Sequence, residues 1–201
     1  MRIFLAGASG VVGVRLIPLL VAGGHTVAGM TRSPAKAHML GELGAESVVC
    51  DVFDANALTR AVTEFGPDVV VHQLTDLPDR AEDIPEFAER SSYMLVRGTL
   101  NLLAAAAAAH AARVVAQSIS WELPGEGGRA AYAEHERAVL EADGVVIRYG
   151  QLYGPGTYYE SDPPPPPRVH VDDAARQTVP ALDVPLGVTL VVDDRGAPTD
   201  G

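Results

Sequence analysis

A tyrosine and a glutamate stand four positions apart in the stretch YAEHE, residues 132–136. The surrounding apolar pattern predicts a helix over about residues 130–142, which brings Tyr132 and Glu136 to one face. A phenol and a carboxylate at this spacing can exchange a proton, and His135 adds a third titratable group. Because a carboxylate disfavours a neighbouring phenolate, this arrangement predicts a raised pKa for Tyr132.

Three uses of this pair remain open from the sequence. Tyr132 can be a neutral hydrogen-bond donor to a substrate carbonyl. Alternatively, Glu136 is the base, with Tyr132 or His135 as its partner. In the third interpretation Tyr132 packs and Glu136 lies at a solvated edge, because Val139 and Leu140 continue the same helical stripe.

Two serines lie near the end of the predicted strand RVVAQS. Ligands of α/β sheets bind beyond the carboxyl ends of the strands, so Ser118 and Ser120 are candidate catalytic hydroxyls. A capping or turn role is the alternative for either serine.

The stretch GASGVVG places three glycines between the first predicted strand and the first predicted helix. Gly7 permits a tight turn, Gly10 allows the backbone to approach a pyrophosphate, and Gly13 allows close packing of the helix on the sheet. The helix N-terminus then presents free N–H groups to the anion. The turn therefore predicts a dinucleotide site that comprises Gly7, Ser9, Gly10, Val11, Val12 and Gly13.

The residues after the second predicted strand indicate which dinucleotide is bound. An acidic residue there would favour NAD(H), whereas this sequence reads TRSPAK, residues 31–36. Arg32 can bind a 2′-phosphate, with hydroxyl donors on Thr31 and Ser33 and the ammonium group of Lys36 one turn into the helix. We therefore expect NADP(H) in preference to NAD(H). The alternative is that Arg32 is a solvated surface residue.

The ends of the third and fourth predicted strands should complete the nucleotide site. Asp51 can accept a hydrogen bond from the adenine amino group, with Val52 beside it, or it can cap the turn DVFDAN. Gln73 and Leu74 follow the strand DVVVH on its cofactor-facing side. His72 either faces the cofactor or is a hydrogen-bonded core residue.

Short β-branched runs alternate with helical patterns, from RIFLAG to VTLVVDD. This alternation predicts a parallel sheet covered on both faces, which is a doubly wound α/β fold or Rossmann fold. We expect a single domain over residues 1–201, with a dinucleotide-binding core over 1–156 and a shortened substrate-side segment over 157–201. In that segment, five prolines predict a stiff extended spacer, followed by a helix capped by Asp172 or Asp173.

The composition excludes several classes of partner. A net charge of −11 and a pI near 4.8 do not provide the positive surface that nucleic acid or an anionic membrane requires. The apolar stretch over residues 102–116 is dominated by alanine and is expected to be a buried helix running into a strand, not a membrane span. The single cysteine, Cys50, fits a reducing cytoplasm, and no ligand cluster predicts a metal site.

Six ordered motifs resemble the extended and atypical short-chain dehydrogenases/reductases, the NAD-dependent epimerase/dehydratase family. They are GASGVVG, GPDVVVHQLT, GTLNLLAAA, RVVAQSIS, RYGQLYGPGTYY and RVHVDDAA, and they cover most of the chain. The resemblance implies a nicotinamide cofactor and a small-molecule substrate. It also implies a homodimer formed through the alanine-rich helix and the helix that bears Tyr132.

The resemblance further implies a catalytic Ser or Thr and a Tyr-x-x-x-Lys pair, in which the lysine lowers the pKa of the tyrosine. The only lysine of this chain is Lys36, and Glu136 stands at the best-matching position for the catalytic lysine. By strict alignment the catalytic hydroxyl falls on Ile119, between the two serines. Tyr132 therefore cannot be activated in the family's way.

Two main classes of function follow. The first is an NADP(H)-dependent reductase or epimerase-type enzyme, for example of secondary metabolism, whose proton comes from a neutral tyrosine, a serine, water or the substrate. The second is a cyclase, dehydratase or isomerase without redox chemistry that uses Glu136, Tyr132, His135 or Glu122. A cofactor-sensing regulator ranks below both. Because the substrate-side segments are short, we expect an open site or one completed by another subunit.

Overall fold

The central sheet of the molecule contains seven parallel strands. The structure is a computed structural model and describes residues 1–194. Its strands are β1 (Arg2–Ala6), β2 (Thr26–Thr31), β3 (Glu46–Val49), β4 (Val69–His72), β5 (Arg113–Ile119), β6 (Val145–Tyr149), β7 (Gln151–Tyr153), β8 (Arg168–His170) and β9 (Thr189–Val192). The large sheet has the order β3-β2-β1-β4-β5-β6-β9, and β7 pairs with β8 in a separate parallel ribbon.

Helices connect the strands and cover both faces of the sheet. They are α1 (Gly13–Ala22), α2 (Pro34–Glu42), α3 (Ala55–Phe65), α4 (Ile84–Tyr93), α5 (Thr99–Ala108), α6 (Glu126–Glu141) and α7 (Val171–Thr178). A single wide helical turn, residues Met94–Gly98, joins α4 to α5. The predicted doubly wound α/β fold is confirmed, and the alanine-rich stretch forms the expected helix, α5, followed by the strand β5.

The alternation of side chains along the strands creates two hydrophobic cores. Ile3 and Leu5 of β1 lie in the core beneath α1, whereas Phe4 and Ala6 lie in the core beneath α3 and α5. Both faces of β1 are thus buried, which explains its continuous apolar sequence.

The strand order reverses between β1 and β4, the point at which doubly wound sheets open a crevice beyond the carboxyl ends of their strands. The GASGVVG turn follows β1, and Gln73 and Leu74 follow β4. The topology therefore brings these predicted cofactor residues to one edge of the sheet.

Two predictions for the later part of the chain are wrong. The cap of α7 is His170, whose Nδ1 accepts the N–H of Asp172 at 3.3 Å. Asp172 and Asp173 lie inside the helix, where their carboxylates pair with Arg15 at 2.7 Å and Arg176 at 2.5 Å.

The proline segment is also not a uniformly extended spacer, because the chain bends over residues 165–167. The bend follows from pairing with β7. The N–H of Gln151 donates to the carbonyl of Pro167 at 2.9 Å, and β8 begins at the next residue.

Within residues 1–194, no helix is both long enough and apolar enough to cross a membrane. The same residues contain no group of three or more His, Cys, Asp or Glu side chains that could hold a metal ion.

Candidate active site

The GASGVVG turn is built so tightly that only glycine fits at two of its positions. Gly7 has φ +85°, and a Cβ there would lie 2.4 Å from the carbonyl oxygen of Gln73. A Cβ on Gly13 would lie 2.5 Å from the carbonyl oxygen of Gly7. The tight neighbour of Gly13 is thus the turn itself and not the sheet, which corrects the role expected for it.

The turn leaves backbone donors available at the start of α1. Gly10 N–H donates to the Gly7 carbonyl at 3.0 Å, and α1 has no side-chain cap. In the part of the chain that the structure describes, no acceptor is found for the N–H groups of Val11 and Val12. Free donors at a helix N-terminus suit a phosphate, so these residues fit the pyrophosphate of a dinucleotide.

The end of β2 forms a small polar cluster beside this turn. Ser9 Oγ lies 3.0 Å from Thr31 Oγ1, which also accepts the N–H of Ser33 at 3.2 Å. Arg32 Nη2 lies 3.0 Å from a carboxylate oxygen of Asp76, and the Arg32 side chain is 59% exposed. Arg32 is therefore oriented by an ion pair while most of its surface remains accessible. Lys36 is exposed nearby.

The residues after β3 and β4 are held by hydrogen bonds of their own. Asp51 accepts the N–H of Phe53 at 2.9 Å, which is the turn role given as the alternative, and its contact with adenine stays a prediction. The Val52 carbonyl accepts Asn101 Nδ2 at 2.9 Å. Gln73 Nε2 donates to the buried hydroxyl of Tyr149 at 3.0 Å, and the Leu74 carbonyl accepts from Gln117.

The phenol of Tyr132 is half-buried on α6. Burial raises its pKa to about 12, the predicted direction. The predicted cause is wrong, however, because Glu136 does not contribute to this shift. Within residues 1–194 the Tyr132 hydroxyl has no hydrogen-bond partner, which leaves it free as a neutral donor.

Glu136 is held by three donors in an ion-pair cluster. Ser118 Oγ donates to its Oε1 at 2.5 Å, Arg148 Nε donates to the same oxygen at 2.8 Å, and Arg148 Nη2 contacts Oε2. Burial alone would raise the pKa of Glu136, but the hydrogen bonds from Arg148 and Ser118 outweigh it and lower that pKa. Glu136 is thus an ionised carboxylate with little capacity to act as a base.

The two candidate serines have separate environments. Ser118 points to α6, and its hydroxyl donates its hydrogen bond to Glu136. Ser120 instead donates to Asp193 Oδ2 at 3.1 Å, beyond the end of β9. The structure therefore brings Tyr132, Glu136 and Ser118 to one face and places Ser120 in a different contact.

His135 belongs to a buried hydrogen-bond network and not to this face. Its Nε2 donates to the carbonyl of Gln117 at 2.9 Å, and its Nδ1 lies 2.7 Å from the hydroxyl of Thr99, which also contacts the carbonyl of Leu95 at 2.5 Å. His72 accepts the N–H of Leu74 with Nδ1 and donates to Thr99 with Nε2 at 2.9 Å. All four ring nitrogens have hydrogen-bond partners, and burial lowers the pKa of both histidines. His72 is therefore the core histidine of the second interpretation.

The sequence analysis missed Arg148 and Asp76, which now appear as partners of two predicted site residues. Arg148 is the one charged residue in the strand VVIRY, and that break in an apolar run was a usable signal. Asp76 lies in a loop among other polar residues, and nothing in its spacing indicates a buried carboxylate.

Comparisons with known proteins show the family of this chain. The model of the NAD dependent epimerase/dehydratase family matches residues 3–138. A 3-diazoavenalumate denitrifying reductase from a Streptomyces species is 36% identical over 240 positions, which cover 98% of this chain and 78% of that protein. Because 240 exceeds the 201 residues of this chain, that reductase has internal segments that are missing here.

A dTDP-4-dehydrorhamnose reductase from Streptomyces griseus is 33% identical over 175 positions, covering 77% of this chain and 51% of that protein. The UDP-glucose 4-epimerase of Thermotoga maritima has the same fold, with a TM-score of 0.79 at 18% identity over 96% of this chain and 77% of that one. The Thermus thermophilus epimerase in complex with NAD gives a TM-score of 0.77 at 20% identity, over 96% and 78%. This chain therefore belongs to the NAD dependent epimerase/dehydratase family, and the two relatives above that are more than 30% identical to it are reductases.

Proposed function

We propose that this protein is an NADPH-dependent reductase that removes the diazo group from an aromatic carboxylate. The observation that carries the proposal is the cluster of Glu136, Ser118 and Arg148, in which the residue expected at the position of the family's catalytic lysine is a carboxylate held by Ser118 and Arg148. The reductase that is 36% identical is named for a diazo substrate and for denitrification, and it supplies the substrate class.

A diazo substrate suits a site without a proton relay. Reduction of a carbonyl leaves an alkoxide that needs a proton from the enzyme. When bound, NADPH supplies a hydride, and a hydride added to an arene diazo group gives the arene and N2, with any remaining phenolate protonated by solvent. The chain then has to bind and orient its substrate, and no residue has to deliver a proton.

The residues around the sheet edge supply what such binding needs. The backbone donors of Val11 and Val12 would hold the pyrophosphate, and Arg32 would hold the 2′-phosphate that distinguishes NADP(H) from NAD(H). Arg148 is 43% exposed and is held by Glu136, which is only 12% exposed, so one edge of its guanidinium group stays accessible. That edge suits a substrate carboxylate, and the Tyr132 hydroxyl can donate one hydrogen bond.

The competing interpretation, acid–base chemistry without redox change, loses two of its four candidate residues in this arrangement. Glu136 has a lowered pKa and three donors, and His135 has both ring nitrogens occupied behind the strand. We therefore assign no proton transfer to Glu136 or His135.

The experiment is calorimetric titration of the purified protein with NADPH and NADH, followed by turnover with 3-diazo-4-hydroxybenzoate. We chose this compound because its phenolate neutralises the diazonium charge and slows decomposition in water. We expect tighter binding of NADPH, and one molecule of 4-hydroxybenzoate formed for each NADPH oxidised, with chromatography as the readout.

A reaction without protein measures the uncatalysed reduction, and Arg148→Ala measures the part that the proposed substrate anchor plays. Binding of NADPH without any product above the uncatalysed rate would refute the diazo substrate but leave the cofactor assignment intact. Failure to bind either nucleotide would refute both.

A further inference from the structure

Arg32 shares its buried partner, the carboxylate of Asp76, with a second arginine, Arg90. Asp76 Oδ1 lies 3.0 Å from Arg32 Nη2, and Asp76 Oδ2 lies 3.0 Å from Arg90 Nη2. The Asp76 side chain is only 7% exposed, whereas the side chains of Arg32 and Arg90 are 59% and 56% exposed. One buried carboxylate therefore holds two accessible guanidinium groups side by side.

Both ends of this arrangement are fixed within the chain. The carbonyl of Asp76 accepts the Ser91 hydroxyl at 2.6 Å, which ties the loop after β4 to α4. The Arg90 guanidinium lies 4.6 Å above the centre of the Phe87 ring, a cation–π contact. The two guanidinium groups are thus positioned before any ligand binds.

The charges of the cluster favour an anion with several acceptor oxygens. Two guanidinium groups and one carboxylate leave a net positive charge, in a protein whose overall charge is −11. Each guanidinium has five N–H donors, and most of them remain free after the contact with Asp76. Glu89 also lines the groove, and its carboxylate brings the formal charge of the four ionised side chains to zero. The preference for an anion therefore depends on the free N–H donors of the two arginines that Asp76 holds.

The cluster lies where the adenosine half of a dinucleotide should bind. A groove of about 500 Å³ is lined by Arg32, Phe53, Asp76, Glu89, Arg90 and Tyr93. Arg32 follows β2 and Asp76 follows β4, the strands on either side of β1 and its glycine turn. The rings of Phe53 and Tyr93, with centres 5.2 Å apart, give the groove an apolar wall for a base.

We propose that Arg90 binds the 2′-phosphate of NADP(H) together with Arg32, and that Asp76 is the positioning residue for both guanidinium groups. This inference rests on the NADP(H) preference in the proposed function and adds the residue that the β2 motif does not contain. A dianionic phosphate bridged by two arginines explains why an acidic protein can select the phosphorylated cofactor.

The test is calorimetric binding of 2′,5′-ADP and of 5′-AMP, two probes that share the adenosine and differ in the 2′-phosphate. Arg90→Ala should weaken 2′,5′-ADP binding on the order of tenfold to a hundredfold and leave 5′-AMP nearly unchanged. Arg97→Ala is the matched control. Arg97 is an exposed arginine just after α4, is not among the residues that line the groove, and should have no effect on either probe.

The Asp76→Asn variant tests whether Asp76 acts by orienting the two arginines or only by its negative charge. If Asp76 orients the arginines, its neutralisation weakens 2′,5′-ADP binding even though a negative charge is removed. Tighter binding would overturn the positioning role.

Equal affinities of Arg90→Ala and Arg97→Ala, combined with a clear loss in Arg32→Ala, would overturn the role of Arg90 while the NADP(H) preference stands. Equal binding of the two probes by the unmodified protein would overturn the preference itself.

Discussion

The glycine turn after β1 and the Glu136 face of α6 lie at the same edge of the sheet, yet they relate differently to the family pattern. In the turn, function depends on backbone geometry, and Gly7 and Gly13 keep the space and dihedral angles that it needs. On α6, Glu136 stands where the family has a positively charged lysine. A positive charge is supplied instead by Arg148 of β6, which pairs with Glu136.

The difference shows which half of a family's chemistry can be lost. A nucleotide cradle made of backbone N–H groups survives any exchange of side chains around it. A proton relay requires one specific charge next to one specific phenol, and Arg148 is directed to Glu136, so the Tyr132 pKa stays high.

The largest predicted effect concerns the turn. Gly7→Ala should destabilise the protein by more than about 4 kcal/mol, because the new Cβ would overlap the Gln73 carbonyl at a positive φ. Gly24→Ala is the control. Gly24 also has a positive φ, +78°, but nothing lies within 4 Å of its Cβ position, so a cost of only about 1 kcal/mol is expected. Urea unfolding gives both values, and equal costs would show that the turn is not tightly built.

The next effect concerns the neutral histidines behind the α6 face. Burial lowers the pKa of His72 to about 3, and burial also lowers the pKa of His135. The unfolded chain takes up protons near its ordinary pKa of 6.5 and the folded chain does not, so stability should fall as the pH falls from 6.5 toward 5. The slope should approach about 1.4 kcal/mol per pH unit for His72, and His135 should add a smaller contribution in the same direction.

Urea unfolding at several pH values above 5 measures this slope without interference from most carboxylates. His135→Gln should reduce the slope, and His38→Gln, at an exposed position, should leave it unchanged. A flat profile in the unmodified protein would mean that the two rings are not held neutral.

A smaller effect separates the two ion-pair systems of α6. Arg148→Ala should cost about 1–3 kcal/mol, because it leaves the mostly buried Glu136 carboxylate with Ser118 alone. Arg137→Ala removes an exposed arginine that pairs with Glu134 and Glu141, and its effect on the unfolding transition should be undetectable. Equal effects of the two substitutions would show that the Arg148–Glu136 pair contributes no more to stability than an exposed surface pair.

The smallest effect is expected for the phenol itself. Tyr132→Phe should change stability by less than about 0.5 kcal/mol, because the hydroxyl has no partner within residues 1–194. Tyr149→Phe should cost about 1–2 kcal/mol, because the Tyr149 hydroxyl bonds to Gln73 and Thr178 in the core. A larger loss in Tyr132→Phe would reveal a structural role for its hydroxyl.

Sequence alone was sufficient for the backbone-determined features. The apolar strands, the helix periodicity and the glycine spacing fix the sheet and the turn, because each depends on local pattern. It was insufficient wherever side chains far apart in sequence meet. Glu136 contacts Arg148 across twelve positions and Arg32 contacts Asp76 across forty-four. Arg148 is visible as a charge in an apolar strand, but nothing in the sequence pairs it with Glu136, and Asp76 has no local signal. The wrong prediction of the α7 cap has the same origin, because Asp172 forms an ion pair with Arg15, which is far away in sequence.

The central claim is that reduction at this site proceeds without a tyrosine relay. The most direct measurement is the single-turnover rate of 4-hydroxybenzoate formation from 3-diazo-4-hydroxybenzoate and bound NADPH, in the unmodified protein and in Tyr132→Phe. We expect rates within about threefold of each other, since no proton is delivered at this site. A loss on the order of a hundredfold or more in Tyr132→Phe would contradict the account, because that is the contribution expected of a general acid.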